Sequence, residues 1–158
     1  DQGIKYYQDA ILINKKTSNS YLNLGNLYFD LRKFEISEIY YKKALLIDPK
    51  NPNLLNNIGF LHSENSNLIK SLKFLKQSLS INPSNQDAML NLANVYKYLG
   101  SKNKKFFSKS IYFYNKIIKV NPKNFDAYYN LSILLLYQGE FIKGWNKYSK
   151  RSCYTIYF

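Results

Sequence analysis

The sequence predicts an all-α chain, a solenoid of antiparallel helix pairs, and three observations lead there. The first is a period: Gly25 and Gly59 stand 34 residues apart, and so do Pro49 and Pro83. The second is the spacing inside each period. Tyr21, Leu24, Gly25 and Tyr28 fall on one face of a first helix, and Ser37, Tyr41 and Ala44 on one face of a second. The third is recurrence, because the same residue classes return at the same offsets along nearly the whole chain. Self-similarity of this length marks units that bury their apolar faces only by stacking on one another.

Taken in order, residues 1–17 read as the second helix of an incomplete repeat, with Tyr7 and Ala10 in phase with Tyr41 and Ala44. Residues 18–51 form the first full repeat, with helices expected over about 18–31 and 34–48. Pro49 ends it, since proline lacks the N–H and restricts the residue before it. Residues 52–85 repeat the pattern as Leu55, Ile58, Gly59 and His62, then Ser71, Leu75, Ser78 and Pro83. The helices there are expected over about 52–65 and 68–82. Small residues at Gly25, Ser37, Ala44 and their counterparts let two helix backbones come close.

Residues 86–124 form the third repeat, reading Met89, Leu92, Ala93 and Tyr96, then Ser110, Tyr114, Ile117 and Pro122. Its prolines stand 39 residues apart, so it carries five extra residues, assigned to Ser101–Lys105. Gly100 suits a left-handed helix cap, and the basic pentad after it reads as a solvated loop lengthened at little cost; contact with an acidic partner is the competing reading. Residues 125–158 hold the fourth repeat, with Tyr128, Leu131, Ser132 and Leu135, then Gly144, Tyr148 and Arg151, and a C-terminal segment. Arg151 replaces a small residue, and Cys153–Phe158 is apolar where a capping helix would be polar. Both ends therefore read as those of a fragment.

Composition narrows the function. Hydrophobic residues make up 46% of the 158, enough for one packed domain. The net charge of +13 rests almost wholly on lysine, Arg32 and Arg151 being the only arginines. Phosphate recognition favours the arginine fork, so this surplus is weak support for nucleic acid; codon bias of an AT-rich genome also accounts for it. The longest apolar stretch, Leu131–Tyr137, is too short to span a bilayer, so no membrane partner is expected. The single Cys153 excludes an internal disulfide and fits a reducing, cytoplasmic setting. Catalysis is not expected either. His62 is the only histidine, in a slot held by Tyr28 and Tyr96 elsewhere, and there is no clustered metal-ligand set, activated thiol or glycine-rich phosphate loop. No cofactor is implied.

On the residues quoted above the chain resembles the tetratricopeptide repeat family. Its signature is an aromatic, a Leu-Gly pair and a tyrosine, then alanine, aromatic, alanine and proline over 34 residues. The resemblance implies a right-handed superhelix whose first helices line a concave groove that holds a protein or peptide partner. One position on those helices recurs without a packing reason. Asn23, Asn57, Asn91 and Asn130 each stand immediately before the Leu-Gly-type pair. Asparagine is a mediocre helix former, and its amide can both donate to and accept from a peptide backbone.

This series resembles the asparagine ladder of the O-linked N-acetylglucosamine transferases, where it holds the substrate polypeptide. Asn26 and Asn94, three residues further on, would widen the amide surface, while Phe60 and Ile133 interrupt that second row. Asp87 and Asp126 are either acidic groove contacts or helix-start residues. Shared descent of the repeats is the bland explanation for the ladder. The last repeat carries another resemblance, since Gly139-Glu140-Phe141 with Gly144-Trp145, Tyr148 and Arg151 is similar to the closing repeat of bacterial proteins in which such an array precedes a glycosyltransferase-like domain. Three readings follow: a peptide-binding scaffold, the docking portion of a larger glycosyltransferase, and a basic nucleic-acid-binding repeat. The last predicts lysines in the groove, whereas Lys42, Lys43, Lys70, Lys73, Lys76 and Lys116 all fall on second helices.

Overall fold

The computed structural model describes residues 7, 9 and 17–152. The expected half-repeat at 1–16 lies almost wholly outside the described residues. So do the side chain of Arg151 and the segment from Cys153 onward. All regular structure among the described residues is helical: α1 (Ser18–Asp30), α2 (Phe34–Ile47), α3 (Pro52–Glu64), α4 (Leu68–Ile81), α5 (Gln86–Gly100), α6 (Lys105–Val120), α7 (Phe125–Tyr137) and α8 (Phe141–Ser152). The fold is an all-α helical-repeat solenoid. Compactness divides it into residues 1–88 and residues 89–158.

Asparagines start four of these helices. Asn51 Oδ1 accepts from the N–H groups of Asn53 and Leu54, with Pro52 in the first turn. Asn67, Asn85 and Asn124 accept in the same way from Lys70, Ala88 and Ala127. Each satisfies a donor that the helix itself leaves open. Helix ends are equally regular. Lys33 N–H donates to Tyr28 O, Asn67 N–H to His62 O, and Glu140 N–H to Leu135 O. The residue just before each donor is left-handed: Arg32 at φ 58°, Ser66 at φ 57° and Gly139 at φ 81°. Only Gly139 takes that conformation without steric cost.

In the first unit α1 packs on α2 and α3 on α4, with α2 and α3 joining the pairs. Tyr41, Ala44, Leu54, Ile58 and Leu61 form the core, flanked by Tyr21, Phe29 and Phe74. Close approach is enforced at Gly25, where a Cβ would drive into the Tyr41 ring, and at Gly59, where it would strike Leu75. The recurring serine does more than stay small. Ser37 Oγ donates to Gly25 O, and Ser71 Oγ to Gly59 O, both at 2.7 Å. In the second unit Ser110 Oγ donates to Ala93 O at 2.8 Å, while Tyr114, Ile117, Leu131 and Leu134 fill the interior.

Four of the five residues assigned to the insertion, Ser101 to Lys104, form an exposed turn, and Lys105 opens α6. α5 runs seven residues past Ala93, whereas α1 and α3 run five past Gly25 and Gly59. The turn at 101–104 has four residues in place of three, and α6 runs five residues before Ser110 rather than three. Both helices lengthen, and the serine clasp keeps its register. Gly100 accordingly differs from expectation. It is not left-handed but sits at the end of α5, where its missing Cβ admits the Phe107 ring from the extended start of α6.

Candidate functional site

The expected amide positions all lie on first helices and are half-buried: Asn23 on α1, Asn57 on α3, Asn91 on α5 and Asn130 on α7. In the first unit Asn57 Nδ2 donates to Asn26 Oδ1 at 2.9 Å, and that oxygen also accepts from Tyr41 OH at 2.7 Å. Asn56 Nδ2 approaches Asn57 Oδ1 at 3.4 Å. The two rows thus meet, and an amide bridge joins consecutive first helices. Burial raises the Tyr41 phenol to about 12, against a smaller opposing effect of the Ser37 hydroxyl. The phenol stays protonated and keeps donating.

The second unit repeats this with one change. Tyr114 OH donates to Asn94 Oδ1 at 2.6 Å, and burial raises its pKa too. The bridge to the next first helix is made by Lys97, whose Nζ donates to Asn130 Oδ1 at 2.7 Å. Asn130 Nδ2 in turn donates to Asp126 O at 2.9 Å. Burial holds the Lys97 ammonium below its ordinary pKa, and it lies 5.6 Å from the centre of the Tyr98 ring. No carboxylate pairs with it among the described residues. Lys97 was not among the expected site residues, although its register announced it: Asn94 and Lys97 are three residues apart on one helix.

Asn26 and Asn94 therefore have an intramolecular task besides any ligand. They occur where the facing second helix supplies Tyr41 or Tyr114. Where that helix supplies Leu75, the slot holds Phe60, packed 5.1 Å from Phe29. Asp87 and Asp126 are exposed in the first turns of their helices, and the capping itself falls to Asn85 and Asn124. An amide has two donor hydrogens and two acceptor lone pairs, so the bonds of Asn57 and Asn130 leave part of their capacity to an incoming backbone.

Each unit has a cleft at an equivalent place in the repeat. One of about 220 Å³ lies among α2, α3 and α4 and is lined by Glu38, Lys42, His62, Lys70 and Phe74. Its counterpart among α6, α7 and α8 is about 460 Å³ and is lined by Asn115, Leu135, Glu140, Lys143 and Lys147. His62 is buried and stacked on Phe74 at 5.6 Å. Burial lowers its pKa, with Glu38 pulling the other way. Among the described residues no three His, Cys, Asp or Glu gather as a metal site would need, and no helix is long and apolar enough to cross a membrane.

Two family models, both described as tetratricopeptide repeat, match the chain, one at residues 18–51 and the other at residues 40–73 and 113–145. No curated protein is significantly similar in sequence. Among solved structures, the crystal structure of MamA superposes with a TM-score of 0.79 at 20% identity, covering 94% of this chain and 84% of that one. YrrB, a TPR protein with an unusual peptide-binding site, gives 0.73 at 17% identity, over 94% and 74% of the two chains. PilF of Pseudomonas aeruginosa gives 0.80 at 18% identity, over 92% and 64%.

Proposed function

The chain belongs to the tetratricopeptide repeat family, and from that premise we propose that it is a non-catalytic scaffold that holds extended peptide segments on the amide rows of its first helices. The observation that carries this is that a ladder amide bonds to the neighbouring first helix within each unit, Asn57 to the Asn26 amide in one and Asn130 to the Lys97 ammonium in the other. Such bridges fix the amide planes before a ligand arrives, which lowers the ordering cost of binding. Neighbouring helices pack about 8–10 Å apart and an extended chain advances about 3.3 Å per residue. One amide rung therefore meets roughly every third residue of a bound segment.

Because amides address the peptide backbone, recognition through them is tolerant of sequence. At about 0.5–1.5 kcal/mol for each net hydrogen bond, the two rungs of one unit supply about 1–3 kcal/mol before ordering costs, which is weak capture. The fold likeness to YrrB, itself a peptide-binding TPR protein, is consistent with this reading. Nothing in the described geometry favours the glycosyltransferase-docking reading over the plain scaffold.

The test is binding of an unstructured peptide library to the wild type and to a variant with Asn23, Asn57, Asn91 and Asn130 all changed to Ala. Circular dichroism first verifies the helix content. Binding should fall by at least tenfold in a folded variant. Unchanged affinity would sink the amide rows as a binding surface.

A further inference from the structure

Charge is distributed very unevenly along the chain. Residues 1–88 hold eleven Lys and Arg against eight Asp and Glu, whereas residues 89–158 hold twelve against two. Between Asp87 and Asp126 there are eight lysines and no acidic residue at all. Like charges held this close oppose the compact state, so their arrangement on the surface matters.

α6 carries the centre of this excess. Its inward face is Phe107, Ser110, Tyr114 and Ile117, all buried. The opposite face is Lys105, Lys109, Tyr112, Lys116 and Lys119, at helical steps of four, three, four and three. At about 1.5 Å per residue the stripe is roughly 21 Å long. Along it runs an open cleft of about 650 Å³ lined by Tyr112, Asn115, Lys116, Lys119 and Val120. Tyr112 and Val120 are 61% and 62% exposed. No carboxylate pairs with an α6 lysine among the described residues, whereas on α2 Lys42 is neutralised by Glu38 at 2.8 Å.

We propose that this outward face of α6 docks an acidic polypeptide segment, at a surface separate from the amide rows. Lysines one helical turn apart, about 5.4 Å, match the carboxylates on one face of an extended chain, spaced about 6.6 Å. Tyr112 and Val120 give the aliphatic stems of such a segment something to lie on. Nucleic acid fits less well. The segment from Ala88 to Phe125 has no arginine, and so no planar fork for phosphate. Two aromatic rings beside the stripe are already covered by a lysine: Lys109 lies 5.5 Å from the centre of Tyr96 and 5.4 Å from that of Phe106. That leaves Tyr112 as a single exposed ring rather than a stacking platform for successive bases.

The probe is a fluorescein-labelled peptide of about twelve residues alternating Glu and Ser, long enough to span the stripe. Its anisotropy is followed with the full chain at about 0.1 M salt. Lys105→Gln, Lys116→Gln and Lys119→Gln together should weaken binding about tenfold. A charge-matched control, Lys50→Gln, Lys73→Gln and Lys76→Gln, should stay within about twofold, and replacing the three α6 lysines by Arg should retain binding. The four-asparagine alanine variant should bind the acidic probe like wild type, which separates this surface from the amide rows. If circular dichroism shows the triple variant unfolded, its three single variants replace it, each expected to lose about twofold. Equal losses in the α6 and control variants would mean net charge alone, and would overturn the proposal. So would an absence of binding, or tighter lysine-dependent binding of a single-stranded oligonucleotide or an anionic vesicle.

Discussion

Asn26 and Tyr41 share one piece of chemistry. The tyrosine ring fills the space left by Gly25, its hydroxyl needs an acceptor, and Asn26 Oδ1 supplies it while also receiving Asn57. Changing Tyr41 to Phe should cost about 1 kcal/mol in urea unfolding. Combining it with Asn26→Leu should cost less than the two single changes added together, because the pair then resembles the apolar Phe60 and Leu75 of the next repeat. His62 offers a second test at this scale. Its folded pKa lies below the ordinary 6.5, so the unfolded chain binds the proton more readily. Stability is then greatest above the unfolded value and is lost as pH falls below about 6.5. His62→Tyr, the residue found at Tyr28 and Tyr96, should flatten thermal stability between about pH 7 and pH 5.5. The interval stops short of the range in which Glu38, also lowered, would titrate.

At the scale of the helix pair, the turns were legible only in part. Gly25, Ser37 and Pro49 announced the pairs by spacing alone, because a close helix crossing and a helix stop each demand particular residues. The pentad at 101–105 read as a loop because Ser, Asn and Lys are at home in one. Ser101 to Lys104 do form an exposed turn, but against the other repeats the added length is shared with α5 and α6, where Phe106 and Phe107 pack on Tyr96 and Gly100. The roles of Asn51, Asn67, Asn85 and Asn124 as caps, and of Asn26 and Asn94 as acceptors, were hidden for a different reason. In an asparagine-rich chain, a residue's task depends on which partner faces it. The left-handed turn positions give a direct test. Ser66→Gly should raise stability by about 0.5–1 kcal/mol, relieving the αL strain while adding some unfolded-state entropy. Arg32→Gly should gain less, because it also loses the 3.2 Å contact with Glu64 and the approach to Phe34. That exposed pair contributes little, so a large difference between the two variants would mean that the turns are not equivalent.

Across the whole molecule, the repeats are alike in packing and unlike in charge. Helical repeats stabilise one another mainly through nearest neighbours, and parts of such an array can open at different free energies. Residues 89–158 carry twelve basic side chains against two acidic ones, so unscreened repulsion weighs mostly on that unit, while the eleven and eight of residues 1–88 largely offset each other. Screening by salt should therefore stabilise the two units unequally. Native-state hydrogen exchange at about 0.02 M and 0.5 M sodium chloride, where the Debye length falls from about 20 Å to about 4 Å, reads each unit separately. Buried amides of α6 and α7 should gain protection with salt, by roughly three- to tenfold, and those of α2 and α3 markedly less. A uniform gain would point to a general salting effect on apolar burial and would remove the charge imbalance as a determinant of local stability. An acidic segment bound along α6 should reproduce the salt response at low salt, because it supplies the missing countercharge. Protection confined to residues 89–158 on adding the acidic probe would then join the stability imbalance and the docking surface to a single cause, the lysine stripe.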